Sequence, residues 1–414
     1  MELIDFTIRK IEAVKNTISK IKECEFPYVH SKEAVINIET IFDDLANNLE
    51  SVKNLSNKEL VPDICSRSLE KLYECLPLLG FILRSTEVRN AFEIHGPLLR
   101  LSQKILGNDT KLVISSEWDY YPYMYHNIPG MQGYVLIGLP SSESSNPLLI
   151  PLAGHELGHG LWFKNNLESE NCYGNKLTNI VIQEIMDNHW NIFAEINHIT
   201  VQKDSFSWED TSNLSKIASA TAWVKKQAEE SFCDFVGLYI FGVSFLYAFS
   251  YLLAPGDTYK KIMYPDNQTR YRNLLYATKK YSLVFNDYDE SIFQKEIDMN
   301  NLSEEIKFQL MIANIALTKI IDELIDEAKK LLDQIEITSP DKSKIDEIKR
   351  HFIATVPSRK SGGVSNILNA AWDSFLDDQL WSQQNHLRNE DKYSKLKELI
   401  LKSIEIFELE CRMH

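Results

Sequence analysis

A chain of 414 residues with 44% apolar and 25% charged content has the make-up of an ordinary globular protein, with room for one large domain or a few smaller ones. A formal net charge of −15 argues against nucleic-acid binding through a general basic surface, and it specifies no substrate. The six cysteines, at 24, 65, 75, 172, 233 and 411, include no C-x-x-C pair, which suits a reducing cytoplasm better than a disulfide scaffold or a thiolate zinc site. The start, MELIDFTIRK, has early acidic residues and no continuous apolar stretch, unlike a signal peptide. Abundant Asn, Ile and Lys fits the coding bias of an AT-rich bacterial genome.

In residues 2–22, Ile4, Ile8, Ile11, Val14, Ile18 and Ile21 recur at three-to-four spacing and predict an amphipathic helix. Residues 32–55 repeat the pattern with Ile38, Ile41, Leu45, Leu49 and Val52. Further helices are expected over 66–84 and 97–106. The first hundred residues therefore read as a helical packing module, with a lid or partner-binding surface as the alternative. After Gly107, residues 111–115 and 134–139 read as strands around an aromatic, Pro- and Gly-rich loop. A free edge on the second strand, just before the next motif, would accept an extended peptide by strand addition; an ordinary sheet strand is the plainer reading.

Residues 147–163, PLLIPLAGHELGHGLWF, contain His155-Glu156-Leu157-Gly158-His159, an H-E-x-x-H motif. Histidines four apart share one helix face and can hold one metal ion. Glu156 stands where a general base can reach an activated water. The apolar run before the motif predicts a buried helix, and Ala153, Gly154, Gly158 and Gly160 permit close approach of other backbone.

Such a site needs a third protein ligand. Residues 177–199 are expected to be helical and carry Glu184, with Asn188 one turn on. A polar linker, KDSFSWEDTSN, leads to a long helix beginning near 214–217, which carries Glu229, Glu230 and Asp234. Glu230 is the preferred ligand, with Glu184 and Glu229 as rivals. Asp234, one turn after Glu230, can accept the remaining ring N–H of a ligand histidine.

HELGH followed by E-x-x-x-D resembles the gluzincin-type zinc metallopeptidases. The segment ESFCDFVG is similar to the E-x-x-A-D-x-x-G segment of the CAAX-prenyl-protease and HtpX-like family, with Cys233 in place of Ala. Tyr264-Pro265 through Arg270 matches the spacing of that family's H-P-x-x-x-x-R, with Tyr in place of His. The resemblance spans roughly 97–275. It implies Zn2+ held by His155, His159 and Glu230, with Asp234 behind them. Tyr264 and Arg270 are candidate oxyanion partners, or Arg270 pairs with a structural carboxylate.

Residues 235–254 are uncharged and long enough to span a membrane, as members of that family do. The run continues the ligand helix, however, and three tyrosines, two serines and two glycines dilute it, so a buried core helix is expected. Downstream, Ser303 is expected to cap a helix reaching about 334, with further helices over 340–351, 367–380 and 393–412. The Gly362-Gly363 segment is a connector or a mobile loop, and Asp377-Asp378 is solvated surface.

The expected fold is mostly α with a small β-sheet: a zincin-like metallopeptidase core at 97–290 between helical regions at 1–96 and 291–414. The expected activity is zinc-dependent hydrolysis of peptide bonds by a water that Glu156 activates. The alternatives are a zinc-binding sensor or scaffold without turnover and a membrane-associated peptidase. Expected partners are a peptide or protein substrate and a protein bound through the helical regions, with no nucleic acid and no membrane.

Overall fold

A computed structural model describes residues 3–26, 28–53, 60–87, 92–117, 122–125, 128–254, 263–284, 292–293, 302–377 and 389–413. Parts of the aromatic loop (118–121 and 126–127) and the tail of the expected 367–380 helix (378–380, with Asp378) lie outside them. The protein is mostly helical with one small mixed sheet. It divides into two compact units, 1–146 and 147–414. That division differs from boundaries at 96/97 and 290/291. The strands join the N-terminal helices, and the later helices pack on the helix that carries Glu230.

In the first unit, α1 (Leu3–Ile21), α2 (Val29–Val52), α3 (Val61–Glu87) and α4 (His95–Leu106) precede the sheet. The isoleucine stripe of α1 is its buried face: Ile4, Ile8, Ile11, Ile18 and Ile21 meet Val35, Ile38, Phe42, Leu72 and Phe81 in one core. Each fully buried side chain of this size contributes ~1.5–3 kcal/mol. Strand β1 (Lys111–Glu117) runs parallel to β3 (Tyr134–Pro140), from Lys111 opposite Tyr134 to Glu117 opposite Pro140. The short β2 (Tyr123–Tyr125) pairs antiparallel with the other side of β3. The order β1-β3-β2 makes β3 the central strand, and all of its residues are buried. β1 covers one edge along its length and β2 covers the other at Leu136–Gly138, so that stretch of β3 has no edge free for strand addition.

The second unit is built around α9 (Ala218–Phe241), which is buried continuously from Gln227 onward. Before it come α5 (Ala153–Lys164), α6 (Asn175–Glu184), α7 (Trp190–Ile196) and the short α8 (Thr211–Leu214). The helix expected over 177–199 is thus interrupted, by one wider turn at Ile185–His189. After α9 come α10 (Val243–Leu253), α11 (Asn267–Lys280), α12 (Glu304–Thr318), α13 (Ile321–Gln334), α14 (Lys342–Ile353), α15 (Val364–Phe375) and α16 (Asn389–Met413). Helices α5, α11, α12 and α13 pack on α9. Ser303 caps α12 as expected, accepting from the Ile306 N–H, but the helix ends at Thr318 and restarts as α13.

The apolar run over 235–254 is two helices rather than one. Gly242 has φ +60°, a left-handed conformation that favours glycine, and it ends α9. Asn369 of α15 holds the break, donating to the Phe241 carbonyl at 2.6 Å and accepting from the Ser244 N–H at 3.0 Å. Among the described residues no helix is long and apolar enough to cross a membrane.

Candidate metal centre

Helices α5 and α9 touch backbone to backbone. A Cβ added to Gly158 would lie 2.7 Å from the Cys233 Cα, and one added to Gly154 would lie 2.9 Å from the Gly237 Cα. Glycines four apart on α5 thus meet small residues four apart on α9. This crossing brings the histidines of one helix to the carboxylates of the other.

His155, His159 and Glu230 each offer one donor atom, and these atoms lie within 4.8 Å of one another. His155 Nε2 is 3.4 Å from Glu230 Oε2, and His159 Nε2 is 3.8 Å from Oε1. Bonds of about 2.0–2.1 Å at tetrahedral angles put zinc donors roughly 3.3 Å apart. The donor chemistry, two imidazoles and a carboxylate, also suits zinc.

The other ring nitrogens are occupied. His155 Nδ1 lies 2.8 Å from Asp234 Oδ1, and His159 Nδ1 lies 2.7 Å from Glu229 Oε1. A carboxylate accepts only, so each Nδ1 carries the proton and, in a neutral ring, each Nε2 lone pair is left for a metal. Asp234 stands as expected. Glu229, weighed in the sequence as a rival ligand, instead orients His159. The signal for it was a carboxylate adjacent to Glu230, with Lys226 one turn before.

Burial alone would lower the pKa of His155, but the Asp234 and Glu230 carboxylates outweigh it and raise it to about 10. Burial works against Glu230 and Asp234 as anions too; His155 on the first and Arg270 on the second hold both below the usual carboxylate range. Lys226 Nζ is 3.1 Å from both Glu229 Oε1 and Glu230 Oε1, adding a cation to the carboxylate pair.

Glu156 is buried and forms no hydrogen bond or ion pair among the described residues. Burial raises its pKa, and the two histidines oppose this only in part. Arg270 is turned to Asp234, with Nε at 2.8 Å from Oδ2 and a terminal nitrogen at 2.6 Å from Oδ1. Of its two sequence readings, the structure brings it to the carboxylate. Tyr264 is half-buried under the Lys226 ammonium, which sits 5.4 Å from its ring centre, and its hydroxyl forms no hydrogen bond among the described residues. Burial raises its pKa, so it stays an O–H donor.

Glu184 is not in the cluster. It pairs with Lys319, accepts from Asn188 at 2.9 Å and lies 3.3 Å from His189 Nε2. Cys233 is fully buried against Gly158, and burial pushes its thiol well above the usual range, so it is packing.

No protein-family model matches the chain, and no curated protein or solved structure matches it. The site is characterised by its own geometry.

Proposed function

We propose that the chain is a zinc-dependent metallopeptidase of the gluzincin type. One observation carries the proposal: both Nδ1 atoms are engaged by carboxylates while both Nε2 atoms converge on Glu230, beside Glu156, which has no hydrogen-bond partner among the described residues. His155, His159 and Glu230 would hold the ion, with Asp234 and Glu229 fixing the imidazoles. Zinc, when bound, lowers the pKa of a water to about 7 and polarises a carbonyl. Glu156 takes the proton from the attacking water and hands it to the leaving amine, a role suited to a carboxylate whose pKa burial has raised. Tyr264 donates its O–H to the carbonyl oxygen as charge develops there. Arg270 acts through Asp234 rather than on substrate. The likeness of the 230–237 and 264–270 segments to the CAAX-prenyl-protease and HtpX-like family supports the same reading. A cytoplasmic setting is part of the same proposal, and six free cysteines fit it.

The test is hydrolysis of reduced, unfolded casein by the purified chain. The expected result is cleavage that EDTA abolishes and added zinc restores. Stoichiometric zinc binding with no cleavage would instead establish a zinc-binding scaffold without turnover.

A further inference from the structure

Two open pockets adjoin near the candidate metal centre. The inner one, about 410 Å³, is walled by Leu214, Ile217 and Ala222 and reaches Lys226 and Glu229. Those two side chains also touch the ligand set, Lys226 on Glu230 and Glu229 on His159. The outer one, about 630 Å³, is walled by Phe206, Trp208, Asp204 and Glu209. Thr178 and Leu214 belong to both linings, so the two adjoin as one open cleft. Each chamber alone has the size of a ligand site. Two adjoining open pockets suit an extended chain laid across both better than one compact molecule.

The outer chamber has a defined chemistry. Phe206 and Trp208 pack against each other, 4.9 Å apart, and give it an aromatic wall. The Trp208 indole N–H is a buried donor with no hydrogen-bond partner among the described residues. The side-chain carboxylates of Asp204 and Glu209 are exposed and form no hydrogen bond or ion pair among the described residues. No Lys, Arg or His lines this chamber. Aromatic rings with unneutralised carboxylates attract a cation on an apolar stem, as in Lys and Arg side chains.

We propose that this cleft is the track for an extended polypeptide substrate, and that the outer chamber takes a Lys or Arg side chain of that substrate. The inference rests on the peptidase reading for the word substrate, and its test does not depend on turnover.

The test measures binding by fluorescence anisotropy on the zinc-loaded Glu156→Gln protein. The probes are two labelled, unstructured Gly/Ser peptides, one carrying lysines and the other glutamates at the same positions. The lysine peptide should bind and the glutamate peptide should not. Asp204→Asn with Glu209→Gln, both exposed, should weaken lysine-peptide binding roughly fivefold. Glu12→Gln with Glu23→Gln, the same change in net charge on and just after α1, should leave binding unchanged. Ala222→Trp, on an exposed position of α9, should block the inner chamber and weaken binding as well. Equal binding of the two peptides, no binding of either, or a 204/209 variant within about twofold of its parent would overturn the assignment. If the binding pattern holds and the wild-type chain shows no EDTA-sensitive cleavage, the cleft stands and the peptidase reading falls.

Discussion

Arg270 grips Asp234 with two nitrogens, at 2.8 and 2.6 Å, and the same carboxylate accepts from His155 at 2.8 Å. The pair is buried, and the guanidinium also lies over the Phe249 ring at 5.0 Å. Arg270→Ala would leave the buried Asp234 carboxylate with His155 but without its cation. It should cost ~1–3 kcal/mol of stability, read by chemical unfolding of the metal-free protein. Arg270→Lys keeps the charge but loses the two-point geometry, so it should fall between wild type and alanine.

Glu229 does for His159 what Asp234 does for His155. Glu229→Ala should therefore lower zinc affinity by about 10–100-fold, measured by competition with a chromophoric chelator. Glu229→Gln retains an oxygen acceptor and should lose less. An alanine variant with wild-type affinity would show that the Nδ1 contact does not tune the ligand.

Glu156 belongs to a different category, since it holds neither a ligand nor the fold. Glu156→Gln should bind zinc with unchanged affinity while casein hydrolysis drops at least about 100-fold. Wild-type turnover in this variant would remove Glu156 as the base.

Gly158 cannot accept a side chain without moving the backbone at Cys233. Gly158→Ala should cost ~1–3 kcal/mol in thermal unfolding and weaken zinc binding, because the displaced atoms sit between the two ligand helices. Cys233→Ala, which removes only the thiol, should restore neither, since the nearest obstruction is main chain.

The Glu184–Lys319 pair gives a pH test away from the metal. The Lys319 hydrogen bond lowers the Glu184 pKa in the folded protein, and Asn188 helps. A depressed folded pKa means stabilisation present above the unfolded value and lost as pH falls through the folded one. Tm should thus fall on acidification below about pH 4.5, and Glu184→Gln should flatten that fall without changing zinc binding.

The site was legible where chemistry follows local spacing. His155 and His159 share a helix face because they are four apart, and Asp234 follows Glu230 by one turn for the same reason. The α1 core was legible from its isoleucine period. What escaped depends on tertiary crossing. Neighbouring carboxylates on α9 point about 100° apart, and only the approach of α5 decides that Glu230 faces the Nε2 atoms while Glu229 faces an Nδ1. The break at Gly242 was hidden because both flanks are equally apolar; its cause, Asn369, lies 127 residues on. The centrality of β3 depends on a strand order that its buried, apolar residues do not encode. The segment KDSFSWEDTSN read as a polar linker, yet its Phe206 and Trp208 form one wall of a cavity.

The contact between Gly158 and Cys233 bears on which ion the protein would select. Most binding sites can dilate a little, because rotatable side chains separate the elements that carry the donors. Here main chain already meets main chain beside the donors, so α5 and α9 have nothing between them to compress or relax. A metal held there would be selected by radius as well as by donor type. Calcium, which takes six or more oxygens at about 2.3–2.6 Å, is disfavoured on both counts, and a small ion that accepts nitrogen is the one such a fixed span would retain.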